Sequence, residues 1–474
     1  MDQVQLTDEI LLNVRRPARY IGEEHNSIKK RWSDAMVKVC LCYPDTYELG
    51  MSHLGLKILY HILNKRDDTL CERSFAPWLD MEEIMRKNDI RLFSLESKMG
   101  LASFDIIGFS LGYELTYTNL LNMLDLSKIP LRSHEREGRD FPLIIAGGTC
   151  AFNPEPLADF IDCFVIGDGE EAIIDLIDIY KKCGREKKQE LLKELSLIDG
   201  LYVPSCYDSS KKIKKRTIKD LTFEYFPTAP IVPYIQIVHD RITLEIMRGC
   251  PNSCHFCQAK SIYSPVRIRK PKEIVQLAEE SYKNTGFDEV SLLSLSSSNY
   301  PGIDKLINKL TAIFSSLGVG ISLPSLRIEK ELDRLPLAIW AGGSSACGGK
   351  KSGLTFAPEV ATEKMQRVVN KLLDFKELFT ALRQAYKIGW KRVKLYFMIG
   401  LPEEEREDLE AIVALADRVA LLRKEVSRGP AEVTISISSF IPKPHTAFER
   451  LPMASLNDIK EKQQFLVDKV KTKR

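Results

Sequence analysis

Three cysteines, Cys250, Cys254 and Cys257, stand close together in the segment RGCPNSCHFC. Thiolates are preferred ligands of iron-sulfur clusters and of zinc. A structural zinc site usually takes four protein ligands, commonly as two separated pairs, and there is no second pair here. His255 or Cys347 could in principle complete a zinc site, although His255 stands between two of the cysteines. A four-iron cluster with three protein ligands leaves one iron open to bind another molecule, which is an arrangement for chemistry.

Two alternative roles for these cysteines stay open at this point. They could be three small buried residues, or zinc ligands completed by a residue elsewhere in the chain. The three thiols lie within eight residues, directly after an apolar segment, and Gly249 and Pro251 bracket the first of them. This arrangement favours a metal cluster over both alternatives.

The cysteine loop belongs to a series of apolar segments that alternate with amphipathic ones from Arg241 onward. The apolar segments are typical of strands and the amphipathic ones of helices. Six strand signals joined by helical crossovers are wrong for a sandwich and predict a curled, parallel, partial (β/α)6 TIM-like barrel over residues 241–450. The predicted strands read RITLEIMRG, DEVSLLSLSS, VGISLPSLRI, SGLTFAPE, RVKLYFMIGLP and EVTISISSFIPKP.

An earlier alternating series covers residues 36–185. Its strand signals are VKVCLCYP, FDIIGFSLG, PLIIAGG and DCFVIGDGEE. Strands that alternate with helices at this spacing predict an α/β, Rossmann-like, doubly wound parallel sheet. The loops after such strands gather at one edge of the sheet, where ligands usually bind.

Three further segments complete the predicted organisation. Residues 1–35 form an N-terminal extension, residues 186–240 a connector, and residues 451–474 a charged helical segment at the C-terminus. The connector concentrates basic residues in SSKKIKKRTIKD. These residues could contact phosphate, but a solvated linker accounts for them better.

Composition and charge limit the classes of function. With 474 residues, of which 44% are hydrophobic, the chain can bury the cores of roughly two or three domains. A formal net charge of +3 gives no global attraction to nucleic acid or membrane. The N-terminus has its charges in the wrong order for a secretory signal, no apolar run is long enough to span a membrane, and eleven unevenly scattered cysteines do not suggest disulfides. These features predict a cytoplasmic protein.

The segment CPNSCHFC, with an aromatic residue before its last cysteine, resembles the three-cysteine motif of radical S-adenosylmethionine (SAM) enzymes. The six-strand series around it resembles their partial barrel. The resemblance implies that Cys250, Cys254 and Cys257 bind a [4Fe-4S] cluster whose open iron takes the amino and carboxylate groups of SAM. In that superfamily one electron from the cluster cleaves SAM to a 5′-deoxyadenosyl radical. The cofactor would thus supply the missing fourth ligand.

Residues 36–180 resemble the cobalamin-binding domain that precedes the barrel in one large branch of the superfamily. The segment IIAGGTCAFNPEPLADFIDCFVIGDGEE is similar to that branch's glycine-rich loop, proline-containing loop and Gly-Asp-Gly-Glu strand end. The Asp-x-His-x-x-Gly motif that supplies an axial histidine to cobalamin is absent, since His53 lacks both the Asp and the Gly. Cobalamin would therefore bind without that histidine, or the domain has kept the fold and lost the ligand.

The resemblance implies further cofactor contacts around the cluster and at the ends of the barrel strands. Phe256 would shield the cluster from water. Ser296 and Ser297 would lie near the amino group of SAM. Arg327 would pair with the SAM carboxylate, and Glu359 would accept the ribose hydroxyls. The ordinary alternatives are a packing aromatic, a serine turn and surface ion pairs.

Four glycines of the first domain, Gly147, Gly148, Gly167 and Gly169, follow its third and fourth predicted strands. If the resemblance holds, their loops would line the edge of the corrin ring, because glycine lets a large planar ligand approach the backbone closely. A Rossmann-like domain that binds no cobalamin would account for the same glycines.

The leading hypothesis is an iron-sulfur enzyme, of a subfamily with unassigned substrate, that cleaves SAM reductively and applies the radical to an unreactive carbon. Cobalamin would carry a methyl group or electrons. A second hypothesis uses the radical without cobalamin, for rearrangement, ring formation or sulfur insertion. A third is a non-catalytic iron-sulfur module that binds RNA. The enzyme hypotheses require a substrate and an electron donor such as flavodoxin or ferredoxin; RNA has no support from the near-neutral charge, and no membrane partner is expected.

Overall fold

The computed structural model describes residues 3–208, 210, 212–323 and 354–470. The chain divides into two compact units. The first comprises Met1–Asp240 with Glu279–Gly286, and the second comprises Arg241–Ala278 with Phe287–Arg474. The division into five segments stays a prediction.

A six-stranded sheet forms the centre of the first unit. Its strands are β1 (Val37–Tyr43), β2 (Thr69–Phe75), β3 (Ile106–Ser110), β4 (Leu143–Gly147), β5 (Cys163–Val165) and β6 (Leu201–Tyr202). They follow the order β2-β1-β3-β4-β5-β6, with the first five parallel and β6 antiparallel to β5. The order reverses between β1 and β3, and ligands bind at such a switch point in sheets of this type. The predicted doubly wound sheet is confirmed.

Helices cover both faces of this sheet. They are α1 (Asp8–Leu12), α2 (Tyr47–Gly50), α3 (Leu54–Lys65), α4 (Leu79–Lys87), α5 (Tyr117–Leu126), α6 (Gly169–Cys183) and α7 (Lys188–Leu195). Alternate residues of β1 enter two separate cores. Val39 and Leu41 share a core with residues of α3 and α6, whereas Cys40 and Cys42 share one with residues of α4 and α5. Burial on both faces explains why these strands read as continuous apolar runs.

The strands of the second unit form two parallel sheets and one antiparallel pair. They are β7 (Ile242–Glu245), β8 (Met247–Arg248), β9 (Arg267–Ile268), β10 (Glu289–Leu293), β11 (Gly320–Ser322), β12 (Leu354–Glu359), β13 (Arg392–Ile399) and β14 (Glu432–Ser439). One parallel sheet has the order β11-β10-β7, the other has the order β12-β13-β14, and β8 pairs with β9. Each of the six predicted barrel strands is present, and parallel pairing confirms the α/β class.

Helices alternate with these strands. They are α8 (Ala259–Tyr263), α9 (Pro271–Thr285), α10 (Ile303–Phe314), α11 (Glu363–Val368), α12 (Phe375–Lys387), α13 (Arg406–Leu422) and α14 (Leu456–Lys469). The helix α10 packs against β11, and α13 packs against both β13 and β14. Parallel strands need such crossovers. In the described part of the chain, no helix combines the length and the apolar character needed to cross a membrane.

Candidate active site

The cysteine loop begins where β8 ends. Gly249 turns the chain with a φ of 98°, and a Cβ atom added there would lie only 2.8 Å from the Tyr263 carbonyl oxygen. Glycine is therefore required at this turn. Just before it, the Arg248 guanidinium donates to both carboxylate oxygens of Glu245, at 2.9 and 2.8 Å. The strand end that carries Cys250 is thus held by a bidentate ion pair.

Backbone groups from distant parts of the second unit hold the middle of the loop. The His255 N–H donates to the Val369 carbonyl at 3.0 Å, and the Phe448 N–H donates to the His255 carbonyl at 3.3 Å. The His255 Nδ1 lies 2.8 Å from the Val368 carbonyl, so Nδ1 must carry the proton and donate. In this arrangement Nδ1 is not a metal ligand, and the role of His255 is to hold the loop.

The three cysteine side chains are half-buried and not in disulfides. Burial raises the pKa of the Cys257 thiol, and the neighbouring Cys254 and Cys250 raise it further, so the three sulfurs share one small region. Among the described residues, no three His, Cys, Asp or Glu side chains converge as a single metal ion requires. A four-iron cluster binds each cysteine at a different iron, so its ligands surround a volume and need not converge on one point. The donor set fits such a cluster.

Phe256 packs against an apolar cluster next to this loop. The cluster consists of Val360, Met365, Val369, Leu401, Phe440 and Phe448. Phe256 is itself half-buried and directly precedes Cys257 in the chain. This environment is compatible both with the predicted shielding role and with ordinary packing.

The serine segment after β10 contacts the cysteine loop through Asn252. The Asn252 amide nitrogen lies 3.4 Å from Cys250 Sγ and 3.3 Å from the Asn299 side-chain oxygen, which also accepts a hydrogen bond from Ser296 at 2.6 Å. Ser297 begins a short 3-10 helix, and its hydroxyl lies 3.0 Å from that of Ser294. Sequence reasoning identified Ser296 and Ser297 but missed Asn252, whose only signal is its place between two of the cysteines. Contact of the two serines with SAM stays a prediction.

Glu359 ends β12 in a conformation that is uncommon for its residue type. Its φ is 70°, in the left-handed region, and the register between β12 and β13 shifts just before it. Its carboxylate pairs with Lys371 Nζ at 3.0 Å, and Lys371 also donates to the Ala357 carbonyl at 2.7 Å. Both charged side chains are largely buried. Strain of this kind persists where surrounding structure demands it, often at functional sites.

Lys371, which sequence reasoning did not identify, also acts on Cys257. Its positive charge lowers the pKa of Cys257, against the opposing effects of burial and of the other two thiols. Lys371 therefore connects a predicted ribose contact with a predicted cluster ligand. Arg327, the predicted partner of the SAM carboxylate, lies outside the described residues.

Replacing Lys371 with methionine should slow alkylation of Cys257 in the cluster-free protein. Removing the cation leaves burial and the other thiols unopposed, so the pKa of Cys257 rises and less thiolate is present near pH 8. We expect iodoacetamide labelling of Cys257, followed by mass spectrometry, to slow by roughly twofold to fivefold. Lys371→Arg, which keeps the charge, should label at the wild-type rate. An unchanged rate in Lys371→Met would show that Lys371 does not influence the cysteines.

Two of the four predicted glycines of the first unit, Gly148 and Gly167, pack closely against the backbone of the same chain. Gly148 has a φ of 104°, and an added Cβ would lie 2.7 Å from the Leu111 carbonyl oxygen. Gly167 has a φ of 114°, and its Cβ would lie 2.1 Å from the Arg216 carbonyl oxygen. Gly147 ends β4 and Gly169 begins α6. These loops do lie at the carboxyl edge of the sheet, but intrachain packing already explains why Gly148 and Gly167 are glycines; their contact with a corrin stays a prediction.

His53 lies near the same edge and caps a helix. Its Nδ1 accepts a hydrogen bond from the Leu56 N–H at 3.2 Å, at the start of α3, and its ring lies 5.3 Å from that of Tyr43. Burial lowers the pKa of His53 to about 4, so the ring is neutral near pH 7. Its accepting nitrogen is already engaged by the helix.

Comparisons with known proteins match one segment in each of the two units to a protein family. Residues 55–204 match the family of radical SAM proteins, N-terminal, and residues 244–416 match the radical SAM superfamily. An uncharacterised protein of Methanocaldococcus jannaschii is 31% identical over 417 residues, which is 87% of this chain and 80% of that protein. The chain belongs to the radical SAM superfamily. This radical SAM enzyme is thereby expected to use a [4Fe-4S] cluster and SAM, and to need a substrate and a reductant.

Solved structures with the same fold span most of this radical SAM enzyme. The methyltransferase TsrM of Kitasatospora setae, with cobalamin and a [4Fe-4S] cluster bound, aligns with a TM-score of 0.61 at 13% identity, over 88% of this chain and 77% of its own. The cobalamin-dependent enzyme OxsB, with aqua-cobalamin and SAM bound, aligns with a TM-score of 0.59 at 17% identity, over 90% of this chain and 61% of its own. At these identities the likeness establishes the fold.

Proposed function

We propose that this chain is a cobalamin-dependent radical SAM methyltransferase that acts on an unreactive carbon. One observation carries the proposal: a doubly wound sheet with the order β2-β1-β3-β4-β5 and a three-cysteine parallel unit occur in a single chain. The alignment with TsrM, a methyltransferase holding cobalamin and a cluster, supports it because it spans 88% of the chain.

The residues of this chain would divide the work as follows. When bound, the cluster and SAM supply the radical and cobalamin supplies the methyl group. Cys250, Cys254 and Cys257 hold the cluster in a loop whose shape is set by the protein backbone. Lys371 holds the Glu359 carboxylate by an ion pair of 3.0 Å, and that carboxylate would accept hydrogen bonds from hydroxyl groups of SAM. The enzyme receives its electron from a reductant such as flavodoxin or ferredoxin.

The candidate surface for the corrin ring is the switch point of the first sheet. Three large apolar side chains are exposed just after β1 and β3: Leu49 by 42%, Tyr113 by 56% and Leu115 by 73%. Grouped exposed apolar side chains mark binding surfaces. His53 is engaged as a helix cap. Cobalamin would therefore bind here through apolar contacts, and His53 would not serve as its ligand.

Replacing Leu115 with aspartate should weaken cobalamin binding by at least about tenfold, because an apolar contact is lost and a charge is placed against the ring. The matched control is Met36→Asp, since Met36 is 65% exposed and precedes β1 at the opposite edge of the sheet. Protein incubated with hydroxocobalamin and passed through gel filtration is assayed by absorbance. Equal retention by both variants would contradict the proposed surface.

The fate of the methyl group of SAM distinguishes cobalamin-dependent methylation from radical chemistry without cobalamin. Wild-type enzyme supplied with methyl-labelled SAM, reductant and a small-molecule extract should yield a labelled product that depends on bound cobalamin. An enzyme that forms 5′-deoxyadenosine but retains no cobalamin would instead support radical rearrangement or sulfur insertion.

A further inference from the structure

The sheet of β12, β13 and β14 has two different faces. Along β13 the side chains of Val393, Leu395, Phe397 and Ile399 are at most 1% exposed. The helix α13 packs against this strand, so these residues face the helical layer. The alternate residues of β13 lie on the opposite face, because successive side chains of a strand point to opposite sides.

That opposite face, which we term the polar face, carries hydroxyls and one amine. Lys394 is half-buried and Tyr396 is 38% exposed. The register places Thr355 of β12 and Thr434 of β14 beside Lys394, and Ser436 beside Tyr396. Lys394 Nζ lies 4.6 Å from the centroid of the Tyr396 ring. A face that only packed against a protein core would be apolar, so its composition suggests a polar occupant.

The acidic groups of these three strands are paired elsewhere. Glu359 pairs with Lys371 at 3.0 Å, and Glu432 lies 3.6 Å from Arg392 at the opposite end of the sheet. No other residue of β12, β13 or β14 is acidic. Lys394 forms no ion pair with any residue in the described part of the chain, so the polar face presents one positive charge without a matching carboxylate.

The polar face leads toward the cysteine loop. Met398, the next residue of β13 on this face, packs against the same apolar cluster that receives Phe256, the neighbour of Cys257. Met398 is four positions after Lys394, which is about 13 Å along a strand. A small molecule anchored at Lys394 can therefore extend toward the end of the sheet where the cluster would be held.

We propose that the polar face binds the substrate, and that the substrate carries a carboxylate or phosphate which pairs with Lys394 beside the Tyr396 ring. The inference rests on the proposed function and adds the chemical class of the substrate to it. The hydroxyls of Thr355, Thr434 and Ser436 hydrogen-bond to polar groups of the same molecule. Lys394 is a specificity-determining residue, and the substrate is a small, anionic, polar compound.

Binding of simple aromatic anions tests the proposal, because they combine the charge with a ring that can contact Tyr396. The full-length, cluster-reconstituted enzyme is titrated with benzoate, phenyl phosphate and neutral benzyl alcohol, followed by saturation-transfer NMR. We expect at least one anion to bind about tenfold more tightly than benzyl alcohol. The tighter anion tells whether the natural group is a carboxylate or a phosphate.

Three variants locate the binding. Lys394→Met should weaken the preferred anion about tenfold and leave benzyl alcohol unchanged, and Lys394→Arg should restore most of the affinity. Lys391→Met is the control, since Lys391 is exposed just before β13 and its substitution should change nothing. Equal binding of the anions to wild type and Lys394→Met, or of benzyl alcohol and the anions to wild type, would overturn the proposal. These experiments measure binding without turnover. If the anions do not bind as expected, the substrate site is wrong; if the enzyme forms no 5′-deoxyadenosine or retains no cobalamin, the proposed function is wrong.

Discussion

Replacing Cys254 with alanine should reduce the formation of 5′-deoxyadenosine by more than about a thousandfold. Cys254 is one of three thiols in the loop, and two cysteines cannot hold a cluster that already lacks a fourth protein ligand. Without the cluster there is no route for the electron that cleaves SAM. The protein is reconstituted anaerobically with iron and sulfide, given dithionite and SAM, and the product is measured by chromatography together with bound iron.

A cysteine outside the loop provides the control for this experiment. Cys183 is a half-buried free cysteine at the end of α6 in the first unit, and Cys183→Ala should keep both iron and product. Product formation by Cys254→Ala at the wild-type level would remove this residue from the cluster. A wild-type protein that holds iron and SAM without forming product would instead contradict the radical activity itself.

Replacing Arg73 with methionine should lower the free energy of unfolding of the first unit by about 3–5 kcal/mol. The Arg73 guanidinium pairs with Glu24 at 2.8 Å and with Glu96 at 2.7 Å, and the three side chains are only 2%, 1% and 4% exposed. Removing the cation leaves two carboxylates buried without it. Urea unfolding at pH 7 measures the loss. Arg86→Met, which removes two partly exposed ion pairs, with Glu82 and with Asp125, should change stability by no more than about 1 kcal/mol.

The ion pairs of Arg73 with Glu24 and Glu96 also predict that the free energy of unfolding depends on pH. Burial alone would raise the pKa of Glu24, but the charge and hydrogen bonds of Arg73 outweigh burial and lower it. A lowered folded-state pKa stabilises the protein above the ordinary glutamate range, and this contribution is lost as the pH falls through the folded-state value. In Arg73→Met that contribution is absent, so the difference in stability between wild type and variant should shrink as the pH falls below the ordinary glutamate range and through the folded-state pKa of Glu24. A constant difference would show that Glu24 does not depend on Arg73 for its charge.

These ion pairs of Arg73 also explain why the strand β2 was not predicted. The signals VKVCLCYP, FDIIGFSLG and PLIIAGG revealed β1, β3 and β4 because uninterrupted apolar runs are typical of buried parallel strands. The strand β2 reads TLCERSF, with Glu72 and Arg73 at its centre, yet it is buried along its whole length. The groups that pair with Arg73 come from Glu24 and Glu96, far away in the chain. No local pattern can show that a charge is neutralised by a distant partner.

For the candidate site, too, local sequence patterns were predictable and contacts between distant residues were not. The spacing of the three cysteines is local, so the sequence alone located the loop and predicted its cluster chemistry. Lys371 and Lys394 were missed because a lysine acquires its role only when folding brings it near Cys257 or leaves it without a carboxylate. At Gly167 the close approach of Arg216 is enough to explain a glycine, so the pattern that suggested ligand contact has a second explanation and the contact with a corrin stays a prediction.

The backbone hydrogen bonds around His255 indicate that the second unit folds before the iron-sulfur cluster is inserted. The loop that carries the cysteines is held by the carbonyl of Val369 and by the N–H of Phe448, both encoded well downstream of it. During synthesis from the N-terminus, the cysteines leave the ribosome long before these partners exist, and domains generally fold as units. Iron and sulfide delivered to the nascent chain would reach the three cysteines before their loop has folded. Cluster insertion therefore belongs after translation of nearly the whole second unit, when the receiving loop already has its final shape.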